Sequence, residues 1–268
     1  MSLIRRLFAL VFAIAAFSSA GHAVTLDWDG VTWTPGSLSN SFNIDPANPG
    51  NDVTVTVSGN TSVLQQEIAA PNPMTPAITT GFAGGAGTAQ NSLCIAVNFA
   101  NQSQAITVKV DFSAAYAQGV QNVSFTLFDI DFSSASGNNY MDQLRSITAL
   151  SIDGTTLIAP TITTSSANTL TGTGLNQVVN GNASVPDTGA GSGNGNVTIS
   201  FGAAAIKSLT FTYGSGSGTV ADPTYQHVGM SDITFTPVPE INPAWSALAS
   251  CLGAAALIFR HGANVRRK

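Results

Sequence analysis

Cysteine is nearly absent from this 268-residue chain, and the absence decides how it holds together. Cys251 lies in an apolar run near the C-terminus, which leaves Cys94 alone in the region before it. No disulfide can close within residues 24–237, so a buried core has to supply the stability there. Cys94 itself sits in the apolar run Ser-Leu-Cys-Ile-Ala-Val and reads as a small buried hydrophobe. Histidine is as scarce, with His22 and His261 near the two ends and His227 alone between them. That excludes a multi-histidine zinc site in the central region. A Ser–His–Asp triad would have to use His227, and no Gly-x-Ser-x-Gly elbow occurs anywhere in the sequence.

Positive charge is missing from the same region. All fourteen acidic residues fall between Val24 and Pro243, where only Lys109, Arg145 and Lys207 are basic, so that segment carries a formal charge of −11 against −5 for the whole chain. Nucleic acid and anionic membrane surfaces are therefore poor partners for it, and cations are the plausible counter-partners.

Long amphipathic helical periodicity is also lacking. What remains is period-two or β-branched runs at residues 25–29, 52–57, 93–99, 105–112, 122–132, 144–152, 196–201, 206–213 and 228–236. Leu209, Phe211 and Tyr213 alternate with Ser208, Thr210 and Thr212, the pattern of a sheet with one face in a core. Asp153-Gly154 marks a hairpin turn. Residues 69–91, with Pro71, Pro73 and Pro76, and residues 180–196, rich in Gly, Asn and Ser, are long loops. The expectation is an all-β, jelly-roll-like antiparallel sandwich occupying residues 24–237.

One segment carries the most chemistry: Phe125-Thr-Leu-Phe-Asp-Ile-Asp-Phe132. In a continuous strand Asp129 and Asp131 share a face with Cα atoms about 7 Å apart, close enough for two carboxylates to meet one hard cation. Asp142, beyond a Gly-Asn-Asn loop, would add an oxygen if that loop folds back, and calcium is the cation such a trio would take. Asp27-Trp-Asp29 repeats the spacing. The alternative is that both pairs lie at solvated strand ends. Tyr140 and Tyr225, in expected loops, are the aromatics best placed to stack on a sugar ring, whereas Trp28 and Trp33 suit the core. Glycoside hydrolysis needs two carboxylates facing each other across a cleft. Aspartates two apart on one strand are not so placed, and no catalytic residue is assigned.

The two ends read as sorting segments. Arg5 and Arg6 precede an apolar run from Leu7 to Phe17, and Gly21-His-Ala23 offers small residues at the positions a signal peptidase requires, which places a signal peptide at 1–23 and the mature start near Val24. At the other end, residues 244–259 are uncharged and, as a helix, would extend roughly 24 Å, slightly short of a bilayer core. Arg260, Arg266, Arg267 and Lys268 follow it and favour a cytoplasmic C-terminus. Val238-Pro239-Glu240, with Pro243, precedes it as extended chain.

This order resembles the PEP-CTERM class of bacterial sorting tails over residues 238–268: motif 238–243, membrane helix 244–259 and basic end 260–268. Ile241 stands where the second proline of Pro-Glu-Pro is usual, so the tail is a variant. The resemblance implies transient anchorage in the inner membrane, processing by an exosortase-type protease, and an exopolysaccharide-producing source. Phe-Asp-Ile-Asp at 128–131, Leu-Ser-Ile-Asp-Gly at 150–154 and the closing Gln226 to Phe235 run are similar to the bodies of many proteins with this tail, for which a jelly-roll-like sandwich is expected. The functional expectation is a non-enzymatic protein of the cell surface or extracellular matrix. Its alternatives are a calcium-assisted carbohydrate-binding module attached to exopolysaccharide and, less favoured, a glycan hydrolase or lyase.

Overall fold

The computed structural model describes residues 21–68, 71–85, 90–135, 138–185, 191–218 and 220–239. The expected membrane helix at 244–259, its basic end, Glu240 and residues 1–20 of the expected signal peptide lie outside the described residues. Among those described, no helix is long and apolar enough to cross a membrane. Contacts separate a body, residues 22–238, from a unit comprising residues 1–21 and 239–268.

Among the described residues the regular structure of the body is almost wholly strand, with three short 3-10 turns besides. In chain order the strands are β1 (Val24–Leu26), β2 (Ser39–Phe42), β3 (Val53–Gly59), β4 (Ala77–Thr79), β5 (Ser92–Val97), β6 (Ala105–Phe112), β7 (Val120–Phe128), β8 (Phe132–Ala135), β9 (Asn138–Ser151), β10 (Leu157–Ile158), β11 (Thr161–Thr164), β12 (Asn168–Thr171), β13 (Val178–Gly181), β14 (Val197–Ser200), β15 (Ile206–Ser215), β16 (Gln226–Met230) and β17 (Ile233–Pro237). Each pairing is antiparallel. One layer runs β2–β3–β6–β15–β9 and continues past β9 into β10 and β13–β12. The other runs β1–β17–β7–β14–β11, with β16, β5 and β4 extending from the far end of β7. The layers close on each other as a curled, jelly-roll-like sandwich.

Alternation explains the closure. Val53, Val55 and Val57 of β3, Ile106, Val108 and Val110 of β6, and Leu209, Phe211 and Tyr213 of β15 are buried on one inner face. Val123, Phe125 and Leu127 of β7, Val197 and Ile199 of β14, and Ile233 and Phe235 of β17 are buried on the other. The faces meet in aromatic contacts, Phe125 with Phe211 at 6.0 Å and Phe112 with Phe235 at 5.0 Å. Each such side chain contributes about 1.5–3 kcal/mol of burial free energy, which is how a body without a disulfide is held. Trp28 and Trp33 close one end against Phe42, as core residues.

Three local readings differ from the sequence pattern. The run at 122–132 is not one strand: Asp129 takes φ +66, a left-handed conformation, and Ile130 donates its N–H to Gly195 O at 3.0 Å, so the chain leaves the sheet after Phe128. The run at 228–236 breaks at Ser231, whose N–H bonds Thr126 O at 2.9 Å. Asp27-Trp-Asp29 is a turn, in which Asp27 Oδ1 accepts from Asp29 N at 2.8 Å. The Asp153-Gly154 turn is present, with Gly154 at φ +74 and Asp153 Oδ1 accepting from Thr155 and Thr156 N–H, each at 2.8 Å.

Candidate functional site

The break after Phe128 places the acidic segment at one end of the sandwich and sends its carboxylates to different partners. In β16 the buried Gln226 and Val228 point inward, so the half-buried His227 between them faces outward. His227 Nε2 lies 2.7 Å from Asp129 Oδ2, an imidazole–carboxylate pair in which Asp129 is only 4% exposed. Phe82 packs edge-on against the imidazole at 4.2 Å and Tyr225 at 5.4 Å. Phe82 also joins Cys94 and Phe128 in a small apolar cluster outside the main core. Cys94 donates its thiol to Glu67 Oε2 at 2.8 Å. Burial first, and then the Glu67 charge, push that thiol well above its ordinary range, so it is no nucleophile at neutral pH.

Asp142 is bonded from the inward side. The β8–β9 hairpin pairs Phe132 with Met141, so the loop does fold back and sets Asp142 beside Asp131. Asp142 Oδ1 accepts from the Tyr213 hydroxyl at 2.6 Å and Gln226 Nε2 at 2.8 Å, and Oδ2 accepts from Asp131 N at 3.1 Å. Burial first, and then repulsion from Asp131, raise the Asp142 carboxyl well above its ordinary value, against the opposing pull of the Tyr213 bond. Asp131 Oδ1 accepts from the Tyr140 hydroxyl at 3.0 Å. The result is a polar plug in the end of the core: Tyr140, Asp131, Asp142, Tyr213 and Gln226.

Asp129, Asp131 and Asp142 therefore fall in one neighbourhood, bonded to His227, Tyr140, and the pair Tyr213 and Gln226 respectively. Among the described residues no group of three or more His, Cys, Asp or Glu side chains is arranged to hold a metal ion. The shared strand face assumed for Asp129 and Asp131 does not exist, because the left-handed Asp129 breaks the alternation on which it depended. Tyr140 is a correction as well. It lies in β9, 7% exposed, with its hydroxyl committed to Asp131, and offers no ring for stacking. Tyr225 is half-buried and donates to Gln66 O at 2.8 Å. Tyr213 and Gln226 carry no sequence signal of a site role, since nothing local marks their long-range partner Asp142.

The outward faces of the two layers differ in chemistry. On β2, β3, β6, β15 and β9, hydroxyls alternate with charges, including the Lys109–Asp111 pair at 2.7 Å and Arg145. The face of β1, β17, β7, β14 and β11 has no charged side chain at an outward strand position. Register aligns Thr25, Thr234, Ser124, Ser200 and Thr161 in one row across five strands. A second row holds Thr126, Thr198 and Thr163. Strand geometry spaces these hydroxyls about 4.8 Å apart across the sheet and roughly 6.8 Å along it. Thr25, Thr161, Thr163 and Thr234 are exposed, and the others half-buried. Thr126 and Thr198 share a hydroxyl bond at 3.0 Å, which still leaves acceptor capacity on each oxygen.

No family model matches the chain, and no curated protein matches it. Some solved structures are loosely similar. A carbohydrate-binding module described for specific mannan recognition is 12% identical and aligns over 69% of this chain and 88% of its own, at a TM-score of 0.33. A module specific for non-crystalline cellulose is 8% identical over 66% of this chain and 89% of its own, with a TM-score of 0.35. A family 11 module from Clostridium thermocellum, seen with a β-1,3-1,4-mixed-linked tetrasaccharide, is 12% identical over 83% of this chain and 100% of its own, with a TM-score of 0.32. Those ligands are properties of those modules.

Proposed function

We propose that this chain is a non-enzymatic protein exported to the cell surface or extracellular matrix, and that its body contacts a neutral polyhydroxylated polymer, an exopolysaccharide, through the uncharged face of β1, β17, β7, β14 and β11. The observation that carries the reading is that face: nine outward positions, counting Thr236, occupied by threonine or serine in a segment whose formal charge is −11. Each hydroxyl both donates and accepts, so a sheet of them matches a sugar polymer's own hydroxyls without the desolvation cost of charge. Asp131 and Asp142 are bonded to Tyr140, Tyr213 and Gln226, and one oxygen of Asp129 is paired with His227. Export rests on the basic-apolar N-terminus and on the tail's resemblance to PEP-CTERM signals, which implies signal peptidase, an exosortase-type protease and the inner membrane as processing partners.

The test is a pull-down of the purified exported protein with insoluble neutral polysaccharides and with exopolysaccharide of its own source, in calcium and in chelator. Binding should survive chelator and high salt. Thr198→Lys and Ser124→Asp, which place charge on the face, should each weaken it at least about tenfold, a change worth about 1.4 kcal/mol. Thr56→Lys on the opposite layer should leave it unaltered. Loss of binding in chelator, or equal losses from both layers, would refute this face as the contact.

A further inference from the structure

His22 belongs to the folded body. Its Nε2 lies 3.0 Å from Asp45 Oδ1, and Asp45 is 2% exposed. Asp45 adjoins a second buried carboxylate, Asp52, which is 0% exposed. The Tyr116 hydroxyl spans the two, 3.2 Å from Asp45 Oδ2 and 3.0 Å from Asp52 Oδ1. Asp45 and Ile44 donate their N–H groups to Asp52 Oδ2, each at 2.7 Å, Asn48 Nδ2 reaches its Oδ1 at 2.5 Å, and Ala47 N bonds Asp45 Oδ1 at 2.9 Å. Among these partners His22 is the one side chain that can carry positive charge. Two neighbouring buried carboxylates repel each other and are costly without such a partner. A mature chain beginning at Val24 would discard it.

Ser18-Ser19-Ala20 offers a second peptidase site, with serine and alanine at the third and first positions before the bond. We infer that signal peptidase cuts after Ala20, so that the mature protein begins Gly21-His22-Ala23 and keeps His22 as the partner of Asp45. This rests on the reading of the N-terminus as a cleaved signal and would move the start from the one expected near Val24 to Gly21. The retained arm leads directly into β1, the edge strand of the hydroxyl face, which begins two residues after His22.

The full chain, expressed and exported by a bacterial host, decides the matter through the N-terminal sequence and intact mass of the exported product. A start at Gly21 is expected. A start at Val24 overturns the inference while leaving the signal reading in place, and a product retaining residues 1–20 overturns both. Two substitutions in the full chain sharpen the result. Ala20→Leu should block processing, because a bulky side chain does not fit the peptidase at that position, and Ala23→Leu should leave the cut unchanged. The reverse pattern refutes the assignment. In the exported product, His22→Ala should lower the melting temperature, and an unchanged value would remove the physical reason given for the cut.

Discussion

Replacing Tyr213 by phenylalanine tests whether the polar plug is a hydrogen-bonded part of the core. The ring would remain, packed 6.1 Å from Phe99, and only the hydroxyl would be lost. That hydroxyl donates to Asp142 Oδ1 at 2.6 Å, with His227 O a weaker alternative at 3.1 Å. Asp142 is 1% exposed, so no water replaces the bond, and its carboxylate would keep only Gln226 and the Asp131 N–H. The cost depends on which form of Asp142 is present. Its folded pKa is raised above the ordinary 3.8 by burial first and Asp131 second. Asp142 therefore contributes its stability below that ordinary value and loses it as pH rises through the folded value. The Tyr213 bond opposes this by favouring the carboxylate, so its removal hurts more at the high-pH end. A bond to the neutral acid is worth about 1 kcal/mol and one to the carboxylate about 2–3 kcal/mol. For a body of this size each kcal/mol moves Tm by roughly 2–4 °C, so the deficit should grow from about 2–4 °C in acid to about 4–12 °C above the folded pKa. Calorimetry over a pH series that carries Asp142 from its acid to its carboxylate form reads this directly. A deficit that is constant or shrinks with pH would refute the assignment of the Tyr213–Asp142 bond.

Gly181 faces Asp131 so closely that an added Cβ would lie 1.8 Å from its carbonyl oxygen and 2.8 Å from Phe132 N, both backbone atoms. Gly181→Ala should cost at least about 3 kcal/mol or prevent folding, while Gly191→Ala, with nothing within 4 Å, should be neutral in the same melt. Cys94, buried and with its thiol pushed up, should resist an aromatic disulfide reagent in a Cys251→Ser background until denaturant is added, and rapid labelling of the native protein would contradict its place in the cluster with Phe82. The Asp153 carboxyl is held well below its ordinary value by the Thr156 hydroxyl first and then the Thr156 and Thr155 N–H groups. Its support for the β9–β10 turn is therefore present above pH 3.8 and lost as pH falls through the folded value, so Asp153→Ala should lower Tm at neutral pH and converge with the parent in acid.

How far the sequence could be read depended on side-chain contrast. Where apolar and polar residues alternate strongly, as at 105–112 and 206–213, the strands came out nearly as expected, because burial of one face fixes both strand and register. The short strands β2, β11, β12 and β13 are mostly Ser, Thr, Asn and Val and carry little contrast. Their pairings depend on neighbours that are distant in sequence, such as β14 for β11. The acidic segment failed for a different reason. Asp129 has ordinary strand neighbours, and its left-handed φ is imposed by tertiary bonds: Ile130 to Gly195 O, and His227 to the carboxylate. Tyr140 misled because the Gly-Asn-Asn signal of the β8–β9 turn was extended to a residue already inside β9.

Charge is the clearest case in which composition and structure say different things. A formal −11 reads as an acidic surface, yet Asp45, Asp52, Glu67, Asp129, Asp131 and Asp142 are all buried. Those six carboxylates serve as acceptors for tyrosine hydroxyls, a thiol, two imidazoles and main-chain N–H groups, where a neutral side chain could not accept so many bonds. Part of the acidity is therefore structural, and the surface is less repellent than the sum implies. That changes the expected partner. A body acidic on every face would favour cations and cationic surfaces, whereas this one keeps many of its carboxylates inside and aligns threonine and serine across five strands, which is the ground for the proposed contact with a neutral polymer.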